Sequence, residues 1–562
     1  VTQVAVPEAA TGSFQTDPEA ERIIQLRNRE QRAQENFRTL WQDTADLIFP
    51  RENQITSREL PGTHKALRVY DTTAIRDSQE MASGLSGAII PTGGPFFGLK
   101  VSKRALAGRD DVQRYLHEAA EIAHEELFES NFVLQLNETL RSLVVFGTGN
   151  LYTEWNRKAG RLNFKDYDIG TYQMLEDARG QVDTVILTIH MTYRQAVQEF
   201  GVENLSQGLQ KAAEAAEKGA SVAKSFEFIH IVRPRTDRKP QFRDARNMPF
   251  ESVFVEVKGK KVVKEGGFEE FPFAVARWMK SSGEKYGRGQ GTEVLPDVRV
   301  LQTVKKDLLE CGNKHNNPPL EVLDTYEGTA NVSPGALNYV QQLGSLKAID
   351  RGTLGNFPIT QEVLQEQRNI VHEAFYRDLW RQLADLTHRQ TTVEVRARLR
   401  EGLRRMASPA ARIHSELLKT VLSRTVLLLI RNGRIPPPPE DVQGAQFGIE
   451  YVGELALALQ EQQADGFTRL AEFVANASEA FPGITDNINA DRAVRRLGRR
   501  WGVHTDDLAT EEEVVQKRRA REEAAREAEA RETAEAAAKA YHAGKDAPEE
   551  GSPAAMMMGA EA

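Results

Sequence analysis

The sequence predicts a mixed α+β protein, mainly helical. Long stretches repeat apolar residues at steps of three and four, the spacing of one helix face. Thr360 to Leu386 is the clearest, with Leu364, Val371, Phe375, Leu379, Leu383 and Leu386 in phase. Three β-branched segments, VDTVILTIHMT (182–192), FEFIHIVRPR (226–235) and ESVFVEV (251–257), read instead as strands. The 562 residues, at about 150 per domain, make room for three or four structural units.

Taken in order, residues 1–18 are polar, hold Pro7 and Pro18, and are expected to be a flexible arm. Glu19 to Leu47 carries Ile23, Leu26, Phe37, Leu40, Trp41 and Leu47 at helical spacing, and Pro50 stops it. Arg51 to Lys65 is a polar loop, Asp71 to Gly84 a second helix, and PTGGPFFG (91–98) a turn. Asp110–Glu129 and Phe132–Phe146 are two amphipathic helices. GTGNLYTEW (147–155) then opens the strand region, in which the Ala/Glu/Lys-rich segment 212–224 is predicted helical. Leu295 to Leu309 is a helix with Val298, Leu301, Val304 and Leu308 on one face. Residues 313–360 change character, with NNPP, SPG and RGTLG clusters and the strand candidate LEVLDTY. After the helix 360–386, the polar string THRQTT (387–392) is a break, followed by helices at Val393–Met406 and Ala411–Arg431 that end at Gly433 and PPPP. Thr510 and Glu513 have capping-box spacing ahead of a Glu/Arg/Ala run to about Ala543, a solvated helix or one that packs weakly on copies of itself. Residues 544–562 are expected to be disordered.

The net charge of −8 argues against a surface that grips DNA throughout, while leaving room for a local basic patch or a channel. The lone Cys311 leaves no internal disulfide framework and no CxxC zinc site. The start lacks the basic and apolar regions of a secretory signal, and the longest apolar runs fall far short of a membrane span, so a soluble intracellular origin is expected. The search for chemistry finds little. GGPFFGLK (93–100) puts Leu99 where a P-loop needs lysine, and Lys100 is not followed by Ser or Thr. GRGQG (287–291) follows no βα crossover and is read as backbone flexibility at the start of a helix. His117 and His124 stand seven apart without a zincin partner, and are read as surface or packing residues. Cys311 and His315 are too few ligands for zinc. No catalytic residue, metal or cofactor is expected. One feature leaves two readings open: VEVRARLREGLRR sets Arg396, Arg398, Arg400, Arg404 and Arg405 beside an apolar face of Val395, Leu399, Leu403 and Met406. That is either a solvated face with intersubunit ion pairs or a contact for a polyanion.

Several strings together resemble the head-to-tail connector family, the portal proteins of short-tailed phages: WQDTADLIFP (41–50), YDTTA (70–74), ASGLSGAIIPTGGPFFGL (82–99), FPFAVARWMKSSGEKYGRGQG (271–291), NPPLEV (317–322) and THRQTTVEVRARLREGL (387–403). The likeness runs on through RIPPPPED, IEYVGELALALQ and ITDNINADRAVRRLGRRWGV, covering about residues 20–520.

The resemblance implies a subunit with wing, stem, clip and crown. Such subunits form a closed ring, typically of about twelve copies, built on heterologous interfaces. Carried onto this chain, it implies a wing at 19–285, a first stem helix at 286–312, a clip at 313–360 and a second stem helix at 361–386. A tunnel loop would follow at 387–392, then a helix and a return to the wing at 393–440, a crown at 441–543 and a tail at 544–562. His388, Arg389, Gln390, Thr391, Arg396 and Arg400 are the residues it would bring to a DNA channel. The implied partners are other copies of the chain, major capsid protein and scaffold, the terminase large subunit, tail adaptor or nozzle proteins, internal core proteins and double-stranded DNA in transit, with no direct membrane contact. The implied place is the capsid vertex at the head–tail junction, reached from the host cytoplasm during assembly. The alternatives are another virion component, such as an internal core or tail adaptor protein, or a packaging nuclease or ATPase. The missing P-loop and the missing metal constellation weigh against the last.

Overall fold

The computed structural model describes chiefly residues 17–56, 69–90, 95–101, 109–211, 225–239, 244–316, 320–322, 346–348, 357–384, 405–439, 447–451 and 511–543, with isolated residues between them. The chain divides into two compact units, one of Val1–Ala107 with Tyr115–Leu470, the other of Gly108–Arg114 with Ala471–Ala562. The arm 1–16, the segment 212–224 and the tail 544–562 lie outside the described residues.

In the first unit, α1 (Pro18–Ala33) starts where Asp17 accepts a hydrogen bond from the Glu19 N–H and Pro18 takes the first helical position. The single helix expected over 19–47 is two, because α2 (Glu35–Ile48) begins anew after Gln34. Gln34 is buried there, and its side-chain amide donates to the Tyr172 carbonyl. α3 (Thr73–Ile89) outruns its predicted end at Gly84 by more than a turn. β1 (Phe97–Val101) claims the end of the segment expected to be a turn, pairing antiparallel with Phe447–Tyr451. α4 (Asp110–Glu129) and α5 (Phe132–Phe146) run as the periodicity predicts. α5 buries Leu136, Leu140, Leu143, Val144, Val145 and Phe146, and so lies inside the unit rather than on its surface.

The strands follow. β2 (Thr148–Asn156), β3 (Arg161–Asp166) and a later strand, Phe273–Arg277, make a three-stranded antiparallel sheet with β2 central. β4 (Tyr172–Glu176) and β5 (Val182–Thr192) begin a five-stranded antiparallel sheet. The chain then forms α6 (Tyr193–Phe200), closed by a capping box between Thr192 and Gln195. β6 (Ser225–Pro234), β7 (Phe250–Glu256) and β8 (Lys261–Phe268) complete that sheet in the order β4-β5-β6-β7-β8. β6 shows why both faces are covered. Successive strand side chains point to opposite faces. Ile229 and Ile231 pack with Ala20 and Ile23 of α1, whereas Phe226 and Phe228 pack with Ala196 and Phe200 of α6.

β9 (Phe273–Arg277) leads to the GRGQG segment, which starts a helix as expected but is closely packed rather than flexible. A Cβ on Gly289 would stand 2.5 Å from the Val144 carbonyl oxygen and from the Gly147 nitrogen, and one on Gly291 would stand 2.6 Å from the Val145 carbonyl oxygen. The glycines let this backbone lie directly on the end of α5, where Gly147 turns the chain at φ +88. The Trp278 N–H donates to the Gly147 carbonyl at 2.9 Å, and the Gly287 N–H to the Thr148 hydroxyl at 2.9 Å.

A one-turn helix (Gln290–Glu293) then precedes α7 (Leu295–Asn316), which runs two turns past the predicted end. β10 (Leu320–Val322) pairs with β11 (Leu346–Ala348) in the loop-rich insert. The helix expected over 360–386 breaks in two: α8 (Phe357–Ala374) and α9 (Arg377–Ala384) meet at Tyr376, whose φ is +52. The next described helix, α10, joins Ala407–Arg412, a π-helical turn at Ile413–Leu418 and Lys419–Arg431 without interruption. β12 (Phe447–Tyr451) returns to β1.

In the second unit the long helix is α11 (Glu511–Ala543). Its described side chains are almost all exposed, as the charge-rich sequence predicts, and Arg518 pairs with Asp491 at 2.6 Å. Thr510, the expected cap, lies outside the described residues. No helix among the described residues is long and apolar enough to cross a membrane.

Candidate functional site

The six residues expected at a channel, His388, Arg389, Gln390, Thr391, Arg396 and Arg400, lie outside the described residues, as does the whole of 385–404. The structure does describe the elements that flank that segment in sequence. Both are anchored by buried charge.

The anchor before the segment joins α8 and α9 to α3. Asp71 ends the loop before α3 and is 5% exposed. One carboxylate oxygen accepts from the Thr73 N–H and hydroxyl, and the other accepts from the Arg368 Nε and Nη2 at 3.0 and 2.7 Å. Burial works to raise the Asp71 carboxyl. The hydrogen bonds from Thr73 and Arg368 outweigh it and hold the group below the usual carboxylate value. The Gln302 side chain of α7 closes the same corner, donating to the Asp71 carbonyl at 2.7 Å and accepting from the Tyr70 and Asp71 N–H groups.

Just over one turn into α3, Asp77 is nearly inaccessible and stands 2.5 Å from His372 Nδ1 and 3.6 Å from the Arg377 guanidinium. Burial raises its carboxyl above the usual value, against the pull of His372 and Arg377. Glu80 continues the row toward Arg377 and Arg381 at 3.9 and 3.8 Å. Apolar contact finishes the joint. Trp380 of α9 is buried with its ring against Gly84 of α3, where even a methyl group would overlap it. The left-handed residue Tyr376 lets this happen. It shifts the buried phase, so Val371 and Phe375 are followed inside by Trp380, while Leu379 is only half-buried.

The anchor after the segment joins α10 to the strands. Arg277, at the end of β9, is 4% exposed. Glu416, in the π-helical turn, accepts from the Arg277 backbone N–H at 2.9 Å, from Nε at 3.1 Å and from Nη2 at 2.9 Å. The far side of the guanidinium meets Glu176 of β4, which Lys280 also reaches at 2.5 Å. Arg412 adds a contact to Glu416 at 3.2 Å. Further along α10, Arg424 is buried and donates to the Thr153 and Glu270 carbonyls at 2.9 Å each. Burial pushes its guanidinium down to about 10. Met406 is buried beside exposed Arg405 where the described chain resumes.

No group of metal-ligating side chains comes together among the described residues. His124 is a packing residue, buried, with Nε2 at 2.9 Å from the Phe97 carbonyl, and burial lowers its pKa. Leu99 and Lys100, at the end of the P-loop-like string, sit in strand β1, with Leu99 buried. The sequence reading missed both anchors. A signal existed in the i, i+4 pairs Arg368/His372 and Arg377/Arg381 on an otherwise apolar pattern. Their partners, though, lie some 300 residues away.

A long helix pair bracketing a loop-rich insert, with buried ion pairs before and after residues 385–404, is the arrangement that sets the chain's class. Residues 20–508 match the family model of the bacteriophage head to tail connecting protein. Over 535 residues the chain is 27% identical to the portal protein of Salmonella phage epsilon15, covering 93% of this chain and 94% of that one. Over 479 residues it is 26% identical to a probable portal protein of Bordetella phage BPP-1, covering 82% and 83%. The chain belongs to the family of bacteriophage head-to-tail connecting proteins, a structural family of the virion.

Proposed function

We propose that this chain is the subunit of a portal ring at one capsid vertex, forming the channel through which the genome enters and leaves the head. In this reading 19–285 is the wing, α7 and the α8–α9 pair are the stem, and the insert 313–360 is the clip. The loop 387–392 faces DNA, and 441–543 is the crown. The observation that carries the reading is the pair of buried ion anchors, at Asp71/Asp77 and at Arg277/Glu416, on either side of residues 385–404. A loop that meets moving DNA must be held at its roots without being gripped by DNA itself. The mean charge agrees, since about twelve copies at −8 each repel a polyanion on average. His388, Arg389, Gln390 and Thr391, with Arg396 and Arg400 behind them, then supply a few transient phosphate contacts in an otherwise repulsive channel. The outer surfaces would meet capsid protein and scaffold, the clip the terminase and tail adaptors, and the crown the internal core proteins.

The test is negative-stain imaging of the purified protein with its native mass. A ring near twelve subunit masses with a hole wide enough for duplex DNA is expected. A compact dimer or a fibre would sink the proposal. Arg389→Ala should then alter DNA packaging or retention, and unchanged packaging and retention would remove Arg389 from the channel.

A further inference from the structure

The corner between α4 and α5 sets exposed apolar side chains among charges of one sign. On α4, Glu118, Glu121, Glu125, Phe128 and Glu129 are all exposed. They recur at steps of three and four, so they form one stripe, opposite the buried Leu116, Ala120, Ala123 and Leu127. Between Arg114 and Arg141 the chain has six glutamates and no lysine or arginine. Glu126 pairs with Arg434, Glu138 with Arg51, and Glu121 faces His117. No lysine or arginine among the described residues pairs with Glu118, Glu125 or Glu129. Phe128 is 48% exposed, and just across the turn Val133 and Leu134 are 38% and 64% exposed. Nowhere else among the described residues do three large apolar side chains stand exposed within seven residues of one another.

This corner is firmly built. The buried Phe96 ring lies 6.4 Å from both Phe128 and Phe132. The Ser130 hydroxyl donates to the Leu127 carbonyl at 2.6 Å and accepts from the Phe132 N–H at 3.2 Å. The Asn131 side chain pins the turn to β3, accepting from the Phe164 N–H at 2.9 Å and donating to the Phe164 carbonyl at 2.8 Å. A fixed frame therefore holds the apolar side chains out to water, and binding here does not pay the ordering cost of a mobile loop.

We infer that this corner docks a partner protein whose contact surface is apolar at its centre and ringed by lysine or arginine. Phe128, Val133 and Leu134 supply the apolar centre, and Glu118, Glu125 and Glu129 the charged rim, the division of labour found in protein interfaces. The rim favours a basic partner and speeds its encounter. Two copies meeting through this same corner would set glutamate against glutamate, so the partner's surface is a different one. The inference goes beyond the ring reading and does not depend on it.

The test uses the full-length protein and, as probe, a fluorescein-labelled amphipathic peptide helix with leucine on one face and lysine on the other. Fluorescence anisotropy at physiological salt should show binding, and a twin peptide with glutamate in place of lysine should not bind. Leu134→Ser, and separately Glu118→Lys with Glu125→Lys, should each weaken binding by about tenfold or more. All three positions are exposed, so both variants should keep the circular dichroism of the wild type. Carbodiimide cross-linking should join peptide lysines to Glu125 or Glu129. Equal binding of the glutamate twin, binding that neither variant weakens, or cross-links only elsewhere would overturn the inference. A native mass that falls in Leu134→Ser would give the corner to another copy of this chain, and the assignment to a separate partner would fall. Whether the wild type forms a ring is read independently from its own native mass.

Discussion

Replacing Gly289 with alanine should cost about 3–5 kcal/mol, although the backbone there is one that alanine adopts freely. Its φ of −100 and ψ of 168 carry no left-handed strain. The cost is steric. The new methyl would stand 2.5 Å from the Val144 carbonyl oxygen, 2.5 Å from the Gly147 nitrogen and 3.0 Å from the Gly147 Cα. Ordinary contact needs about 1 Å more. All three neighbours are backbone, so no side chain can swing aside. Overpacking of this kind costs about 1–3 kcal/mol. Opening the contact also stretches the bonds from the Trp278 N–H to the Gly147 carbonyl and from the Gly287 N–H to the Thr148 hydroxyl, at about 1 kcal/mol each. Gly312→Ala is the control. It lies in α7 with nothing within 4 Å of the added methyl, so the helix should gain about 1 kcal/mol. Denaturant melts followed by tryptophan fluorescence, which includes the adjacent Trp278, measure both. If Gly289→Ala melts with the wild type, the close approach of 287–291 to α5 is not what holds this joint.

Three further outcomes follow from the buried charges. Arg368→Met strands the buried Asp71 carboxylate and should cost about 3 kcal/mol in a chemical melt; a loss under 1 kcal/mol would mean the pair is solvated. Asp71 is held below its unfolded value, so its share of stability is present at neutral pH and lost as pH falls below about 4, and Asp71→Asn should remove that acid-limb loss. Asp166 has the opposite sign. Burial, only partly offset by the Thr139 hydroxyl, pushes it up to about 7. Stability should therefore decline between about pH 4 and 7, by up to ~1.4 kcal/mol per unit, and Asp166→Asn should flatten that stretch. Superimposable pH profiles for the two proteins would refute the assignment.

Local features of this fold were legible where one physical signal dominated. Asp110–Glu129 and Phe132–Phe146 repeat their apolar residues without interruption, and the strand at 182–192 is mostly β-branched, so their limits agree with the sequence reading. The reading failed where a single residue decided. Gln34 and Tyr376 each split a helix that periodicity alone continues, because apolar spacing is nearly the same on both sides of the break. Trp380 escaped notice for that reason: the phase slip at Tyr376 puts it, and not Leu379, inside. GRGQG does enter a helix, but it reads as flexible because glycine marks both mobile backbone and backbone that must lie against another chain segment, and only the neighbours tell the two apart. The family resemblance lay in the order of several strings, which a residue-by-residue reading of chemistry passes over.

The anchors raise a sharper question, which is why charge rather than apolar packing fixes the described helices on either side of 385–404. A buried ion pair is seldom more stable than a well-packed apolar substitute, but it tolerates only one alignment. Glu416 lies inside the π-helical turn, and its carboxylate takes three donors from Arg277. A π turn holds one residue more than the α-helix would use, so relaxing it would slide everything before it in α10 by about 1.5 Å and turn it by about 100°. Arg405 and Met406 stand on that sliding side. Glu416→Gln should therefore do two things. It should weaken the fold by about 3 kcal/mol, since Arg277 keeps only Glu176 as an anion. It should also raise amide exchange in Ala407–Leu418 while leaving Lys419–Arg431 protected, because Arg424 still holds that half to Thr153 and Glu270. The paired replacement Arg277→Met with Glu416→Leu separates the two effects. It should recover stability, and exchange in Ala407–Leu418 should stay fast, because an apolar contact fills the space without fixing the register. Exchange that returned to the wild-type rate in that pair would mean that packing, not charge, sets the alignment of α10.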